Sequence, residues 1–210
     1  MSSYLPDSEF DDEENSEQEL SPLLQAIAPK LMPCRIREYQ PEDLDACVEI
    51  YRSNEPELDP AGLAAFVEFL NVGTSYYLVL EYNDDIVACG GLELVGDSDT
   101  ATLVHGMVHG EYQRRGFGTT LLAARIALLE PDERPVELWL QASRTSAPFL
   151  GRFGFSLHSV SAKAAGPGQD SAKAWLSVDE QDVEDVRKAL EDRSIRIFLN
   201  DPAEEDEEEE

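Results

Sequence analysis

Residues 113–118 form a short basic segment with two glycines, a composition suited to binding an anion. The segment reads Gln113-Arg114-Arg115-Gly116-Phe117-Gly118. Glycine lets the backbone adopt positive φ and approach a bound group closely. The two arginines place positive charge beside the glycines, although the chain as a whole has a formal net charge of −28. We therefore expect this segment to hold a phosphate or another anion.

The residues on either side of the segment predict the elements that position it. Residues 103–108 are mostly apolar and predict a buried strand. After Gly118, the apolar residues Leu122, Ile126 and Leu129 follow at helical spacing. The first turn of a helix has unpaired backbone N–H groups and the positive end of the helix dipole, which together attract anions. The order of strand, basic turn and helix therefore supports an anion site.

The rest of the chain predicts an α/β fold. Helices are expected to begin near residues 41, 60 and 146, and a capping box of Ser177 and Glu180 is expected to begin the last helix. Gly90 and Gly91 predict a bulge or a close approach inside a strand. In addition to the strand at 103–108, strands are predicted at residues 34–39, 76–82, 86–95, 136–142, 157–160, 173–178 and 195–199.

The basic segment also resembles a motif of a known family. Val108, a gap of four residues and then Gln113-x-x-Gly116-x-Gly118 is similar to the acetyl-coenzyme A loop of the GNAT N-acetyltransferase family. The resemblance implies the GNAT fold, an α/β fold with a central, mixed, mostly antiparallel and twisted sheet flanked by helices.

A second motif lies further along the chain, in the order that the family has. Residues 149–155 end in Gly154-Phe155 and are similar to the family's later segment, which ends in Gly-Phe. A predicted strand at residues 136–142 separates the two motifs. The resemblance covers about residues 35–160, which is the size of one such domain.

Composition and resemblance together predict four parts of the chain. Residues 1–33 are an acidic, largely disordered segment, although residues 20–31 can hold a short helix that prolines limit. Residues 34–178 are the GNAT acetyltransferase domain. Residues 179–200 are a C-terminal helix and an edge strand packed on that domain, and residues 201–210 are an acidic, disordered tail.

The resemblance implies an enzyme that moves an acetyl group directly from acetyl-coenzyme A, its cosubstrate, to an amine of a small molecule or protein. The backbone of Met107 and Val108 would pair with the pantetheine arm, and the N–H of Val108 would stabilise the oxyanion. Phe149 would line the coenzyme groove. The residues that the resemblance assigns to coenzyme binding are Met107, Val108, Gln113, Arg114, Arg115, Gly116, Phe117, Gly118, Thr119, Ser143 and Phe149.

Such a reaction needs a base, because an amine must be neutral to attack a thioester. The candidates are His105, on the strand before the basic turn, and Glu93, on the neighbouring strand. Histidine titrates in the useful pH range. For His105, a packed or hydrogen-bonded structural role is the alternative interpretation. His109 is expected to lie in the turn.

The sequence departs from the family at Leu150. Many members have a tyrosine at this position, four residues before the glycine of Gly-Phe, where it protonates the departing thiolate. Leucine cannot donate a proton, so a water, Ser143 or Ser146 would have to assist instead. The alternative function is therefore a catalytically impaired GNAT-fold module that binds coenzyme A or a partner protein.

The charge limits the choice of partner. Residues 34–200 contain 28 acidic and 15 basic residues, which gives a net charge of −13. This charge argues against binding to nucleic acid and suits a cationic amine or simply a solvated surface.

The sequence has no signal-like start and no apolar run long enough for a bilayer, and its three cysteines lack metal or disulfide spacing. We expect a cytoplasmic protein without a metal or a membrane partner, and the resemblance also allows a homodimer.

Overall fold

The computed structural model of this protein describes residues 21–55, 58–96, 99–143, 145–159 and 171–200. Within these ranges the chain forms one eight-stranded sheet and six α-helices. The strands are β1 (Arg35–Glu38), β2 (Tyr76–Tyr82), β3 (Asp85–Leu94), β4 (Thr100–Val108), β5 (Val136–Ser143), β6 (Ser156–Ser159), β7 (Ser171–Val178) and β8 (Ile197–Phe198). The helices are α1 (Pro22–Ile27), α2 (Leu44–Ser53), α3 (Leu63–Val72), α4 (Phe117–Ala127), α5 (Ala147–Gly151) and α6 (Glu180–Asp192).

The strands are ordered β6-β7-β5-β4-β3-β2-β1-β8 in the sheet. β4 and β5 are parallel, as are β1 and β8, whereas every other neighbouring pair is antiparallel. The predicted α/β class with a mixed, mostly antiparallel sheet is therefore confirmed. The hairpin between β2 and β3 follows from its turn, because Asn83 and Asp84 both have positive φ, the conformation that tight hairpins need.

Aspartate side chains cap the turn that leads into α3 and the start of α6. Asp59 accepts a hydrogen bond from the N–H of Ala61 at 2.9 Å, in a 3₁₀ turn (Pro60–Gly62) that leads into α3. The predicted capping box of Ser177 and Glu180 is wrong, because Ser177 still pairs with β5 as part of β7. The N-cap residue of α6 is Asp179, whose side chain accepts a hydrogen bond from the N–H of Asp182 at 2.8 Å.

Two hydrophobic clusters lie on opposite faces of the sheet. One contains residues of α1, α4, α5 and α6 together with Ala88 and Leu92 of β3. The other contains residues of α2 and α3 together with Cys89 of β3 and Met107 of β4. Ala88 and Cys89 are adjacent in β3 but belong to different clusters, because adjacent residues of a strand point to opposite faces of the sheet. Among the described helices, none combines the length and the apolar character that crossing a bilayer requires.

Residues 21–33 pack on the domain, which corrects the expected boundary between residues 33 and 34. The side chains of Leu23, Leu24, Ile27 and Leu31 are buried in the same cluster as α4 and α6. Ser21 caps α1 by accepting from the N–H of Leu24 at 3.2 Å. The predicted acidic segments at residues 1–20 and 201–210, and the glycine-rich segment at 161–170, lie outside the described residues.

β4 and β5 pair along only part of their length. The pairing joins Thr100–Leu103 to Glu137–Leu140, after which β4 continues to Val108 and β5 to Ser143. β4 remains paired with β3 and β5 with β7, so the sheet opens at its centre. This opening lies at the ends of the strands that lead into α4 and α5.

Candidate functional site

The opening between β4 and β5 is bordered by residues from three elements. A β-carbon added to Gly118 of α4 would lie 3.6 Å from Cγ2 of Val108 on β4 and 3.6 Å from Cζ of Phe149 on α5. These distances are ordinary van der Waals contacts, so the absence of a side chain at Gly118 leaves space between the other two residues. The structure thus brings together three residues that the sequence assigned to one binding groove.

The amide of Val108 faces this opening. The N–H of His109 donates to the carbonyl of Val87 on β3 at 2.9 Å. Because neighbouring residues of a strand direct their amide groups to opposite edges, the N–H of Val108 points away from β3 and toward the side where β5 has separated. By the same alternation the amide of Met107 points toward β3, and its side chain is buried beside Cys89. Val108, and not Met107, is therefore directed at the groove.

Asn54, at the end of α2, holds the carbonyl of Val108 and was not singled out from the sequence. Its Nδ2 donates to the Val108 carbonyl at 3.1 Å, and its Oδ1 accepts from Nε2 of Gln113 at 2.8 Å. Gln113 also donates to the Val108 carbonyl, at 3.3 Å. Gln113 thus connects the basic turn to β4 and α2. In the sequence, the only indication of Asn54 as its partner is that a polar residue follows a helix.

The start of α4 offers backbone donors for an anion. Gly116 has a φ of +105°, and its carbonyl accepts from the N–H of Thr120 at 3.0 Å. The N–H groups of Phe117, Gly118 and Thr119 therefore form the unpaired first turn of the helix. The side chains of Phe117 and Thr119 are buried in the protein. Both residues can contribute only their backbone to the predicted binding site.

The arginines of the turn are exposed, and the glycine after them is constrained. Arg114 has a φ of +60°, and the guanidinium of Arg115 lies 5.2 Å from the ring centroid of Tyr112. A β-carbon on Gly116 would lie 2.5 Å from the carbonyl oxygen of Lys30. Gly116 is thus required both by its positive φ and by the N-terminal segment packed against it.

The other side of the groove starts at the end of β5. Ser143 and Ser146 form a turn in which Oγ of Ser146 accepts from the N–H of Ser143 at 2.9 Å and the two hydroxyls lie 3.1 Å apart. Phe149 is half-buried and packs edge-on against Phe153. Leu150 is only 3% exposed and belongs to the core. The residue at the family's tyrosine position therefore contributes to packing.

His105 and Glu93, the two predicted bases, lie on the face of the sheet that carries α2 and α3. The ring centroid of His105 is 4.5 Å from that of Phe69 and 5.2 Å from that of Phe66. Burial lowers the pKa of His105, and the nearby charge of Glu93 opposes this effect. His105 is thus neutral at pH 7 and able to accept a proton. His109 lies in the turn after β4, where its Nδ1 accepts from the N–H of Glu111 at 3.3 Å.

A bulge in β4 sets the position of His105. Two residues of β4, His105 and Gly106, stand opposite the single residue Gly90 of β3. His105 has a φ of +44°, which is uncommon for a residue with a side chain. The predicted bulge or close approach at Gly90 and Gly91 is therefore confirmed, although the extra residue belongs to β4.

Comparison with known proteins assigns the family. Residues 37–155, more than half of the chain, match the sequence profile of the Acetyltransferase (GNAT) family. The chain therefore belongs to the GNAT acetyltransferase family. The comparison with curated protein sequences finds no significant match.

Solved structures of GNAT proteins share the fold. An acetyltransferase of the GNAT family from Desulfovibrio desulfuricans is 20% identical, with a TM-score of 0.58, covering 69% of this chain and 99% of its own. The ribosomal-protein-S18-alanine N-acetyltransferase from Escherichia coli is 25% identical, with a TM-score of 0.55 and coverages of 70% and 95%. The PaiA N-acetyltransferase from Thermoplasma acidophilum, solved with coenzyme A, is 15% identical, with a TM-score of 0.55 and coverages of 70% and 99%.

Proposed function

We propose that the protein is an N-acetyltransferase that moves an acetyl group directly from acetyl-coenzyme A to an amine. One observation carries this proposal: the opening between β4 and β5 lies directly beside the glycine turn that begins α4. Membership of the GNAT acetyltransferase family supports the reaction class. The acyl donor and the acceptor are part of the proposal.

The residues around the opening fit acetyl-coenzyme A. The coenzyme is a long anionic molecule, and the first turn of α4 together with Arg114 and Arg115 would hold its pyrophosphate. The exposed amide edge of β4 at Val108 would bind the peptide-like pantetheine arm, as a strand edge binds an added strand. Phe149 and Ser143 would line the other side. The space left by Gly118 is where the arm would pass between Val108 and Phe149.

Val108 would carry the electrostatic part of the reaction. When bound, acetyl-coenzyme A supplies a thioester: the amine nitrogen bonds to the acetyl carbon, the carbon–sulfur bond breaks, one proton leaves the amine and one joins the sulfur. The N–H of Val108 would donate to the acetyl oxygen, on which negative charge develops. Asn54 and Gln113 fix the peptide unit next to this N–H by donating to the Val108 carbonyl, so the donor is held in place before substrate binds.

His105 would take the proton from the amine. Its lowered pKa keeps it neutral at pH 7, and Phe66 and Phe69 hold its ring. Glu93 is the alternative base, and it lies close enough to influence the pKa of His105. A lysine-like amine has a pKa near 10.4, so its deprotonation at pH 7 costs about 4–5 kcal/mol, and a base offsets part of this cost.

The buried position of Leu150 favours a second candidate function, a module that binds coenzyme A without efficient turnover. A core leucine cannot protonate the leaving sulfur. A thiol has a pKa of about 8.5, however, so its departure as thiolate at pH 7 costs only about 2 kcal/mol. Water or the hydroxyls of Ser143 and Ser146 would offset part of this cost. We therefore favour an active enzyme over the impaired module.

The acceptor would be a cationic amine of a small molecule or a protein. The net charge of −13 over residues 34–200 favours positively charged molecules over nucleic acid. One similar structure is by its name an N-acetyltransferase for an alanine of a ribosomal protein, so a protein amine is included. Loops at residues 53–58 and 161–170 would choose between acceptors, although residues 56, 57 and 161–170 lie outside the described residues.

An acetyl-transfer assay tests the proposal. The natural protein would be mixed with acetyl-coenzyme A and a panel of polyamines, amino acids and peptides with free N-termini. We expect thiol release that depends on one class of amine, with the mass of one acetyl group added to that amine. Coenzyme binding without transfer to any amine would support the second candidate function instead.

A further inference from the structure

Arg125 is a buried cation of α4 that has no role in the reaction proposed above. The residue is 6% exposed, its Nε donates to the carbonyl of Leu121 at 3.2 Å, and its Nη1 donates to the carbonyl of Gly91 at 3.4 Å. No aspartate or glutamate among the described residues forms an ion pair with it. Burial lowers the pKa of Arg125 to about 10, so the side chain remains charged at pH 7.

The guanidinium lies directly behind the bulge of β4. A β-carbon on Gly106 would be 3.0 Å from both Nη1 and Nη2 of Arg125, and one on Gly90 would be 3.2 Å from Nη1. Gly90 and Gly106 are the residues that face each other across the bulge. The two glycines therefore make the space that the cation occupies, on the α4 side of the sheet.

The opposite face of the bulge carries the proposed base. The ring of His105 lies among aromatic residues of α3, and the backbone carbonyl of His105 accepts from the hydroxyl of Tyr77 at 3.5 Å. Val108, whose N–H faces the groove, lies two residues beyond Gly106. Arg125 thus supports the one segment of β4 that positions both the proposed base and the proposed oxyanion donor.

Stability alone does not account for this arrangement. A buried charge without a carboxylate partner is unfavourable, and an apolar residue of similar volume in its place is often neutral or stabilising. A fixed positive charge inside the protein acts through a low dielectric and is little screened by salt. Such a charge favours any negative charge that develops nearby during a reaction.

We propose that Arg125 is a positioning residue for acyl transfer, whose guanidinium holds the bulge of β4 and places positive charge behind the strand that faces the acetyl group. The proposal rests on the proposed acetyltransferase function. Arg125 then has two effects on the reaction. Its guanidinium fixes the positions of His105 and Val108, and its positive charge acts through the strand on the negative charge that develops at the acetyl group. Both effects act on the chemical step and neither requires contact with the coenzyme.

Two substitutions separate charge from packing. Arg125→Met keeps much of the side-chain volume but removes the charge, so we expect kcat to fall at least about tenfold while KM for acetyl-coenzyme A changes less than about twofold. Arg125→Lys keeps a charge and is expected to restore most of kcat at pH 7. Arg134→Met removes an exposed arginine of the loop before β5 and should leave kcat unchanged.

The pH dependence of Arg125→Lys gives a readout that packing cannot produce. A buried lysine has a lowered pKa and becomes neutral as the pH rises. We therefore expect kcat of Arg125→Lys to decline at a lower pH than kcat of the natural protein. Circular dichroism and thermal unfolding would show which variants are folded at the assay temperature.

Each outcome decides the proposal. A folded Arg125→Met protein with the natural kcat would overturn it and leave the proposed function intact. If Arg125→Met does not fold, the lysine variant decides, because a pH profile identical to that of the natural protein would also overturn the role of charge. Absence of transfer by the natural protein, with any amine, would overturn the proposed function and this inference together.

Discussion

His105 combines a constrained backbone with an environment suited to a base. The bulge gives it a positive φ, and the rings of Phe66 and Phe69 partly remove it from water. Partial burial disfavours the imidazolium, which lowers its pKa, whereas the carboxylate of Glu93 stabilises the imidazolium and acts in the opposite direction. The residue is therefore ready to accept a proton over the neutral pH range.

The pH dependence of transfer tests this role. In the natural protein kcat/KM should rise as His105 loses its proton, at a pH below the usual histidine pKa of about 6.5. His105→Ala should lower kcat/KM by about 100-fold and remove this rise. Glu93→Gln removes a charge that raises the pKa of His105, so the rise should move to lower pH.

His109→Ala serves as the control, because His109 lies in the turn and should leave the profile unchanged. An unchanged profile in His105→Ala would exclude His105 as the base. Loss of the rise in Glu93→Gln alone would assign the base to Glu93.

The β3–β4 hairpin carries much of the site, and its glycines are placed by packing. Gly90 and Gly106 leave room for Arg125, whereas Gly91 faces the α2 and α3 side. A β-carbon on Gly91 would lie 2.7 Å from Cγ2 of Val104 and 2.9 Å from Cδ2 of Tyr77. The hairpin therefore tolerates no side chain at any of these three glycines without movement of its neighbours.

Substitution at Gly91 tests the packing of this hairpin. Gly91→Ala should lower the free energy of unfolding by about 1–3 kcal/mol, because the added methyl group overpacks the sheet. Gly151→Ala adds a methyl group that meets nothing within 4 Å beyond its own helix backbone and chain neighbours, so it should not lower the free energy of unfolding. Denaturant unfolding measures both values, and equal stability of the two variants would contradict the packing account.

Local signals predicted the elements that form the groove. The strand before the basic turn, the helix after it and the Asn83-Asp84 hairpin each depend on short-range rules of periodicity, dipole and turn conformation. The family motifs then indicated a central, mixed, mostly antiparallel sheet flanked by helices. Sequence reasoning was therefore sufficient for the fold class and for the position of the proposed coenzyme turn.

Contacts between distant residues were beyond such rules. Asn54 and Gln113 are 59 residues apart in sequence, and nothing near either residue indicates their hydrogen bond. From the sequence alone, Arg125 would be placed on the solvent-exposed face of α4, because arginine is mostly exposed in proteins. Its burial depends on glycines of β3 and β4, which the sequence of α4 does not reveal. The packing of α1 depends on α4 and α6, and three prolines hide its short apolar pattern.

The molecule as a whole is a sheet that separates into two parts at β4 and β5. One part, β1 to β4 with α2 and α3, carries the proposed base, and the other, β5 to β7 with α5, supplies Phe149 and Ser143. α4 lies at the junction, and Gly118 leaves space between the two parts. We propose that this space admits acetyl-coenzyme A.

Calorimetric titration with acetyl-coenzyme A tests whether the coenzyme enters the space beside Gly118. The natural protein should bind acetyl-coenzyme A saturably. Gly118→Leu should weaken binding at least about tenfold, because its side chain would fill the space between Val108 and Phe149. The matched variant Gly151→Leu, which points into open space, should bind as the natural protein does. No binding by the natural protein, or equal binding by the two variants, would contradict the account.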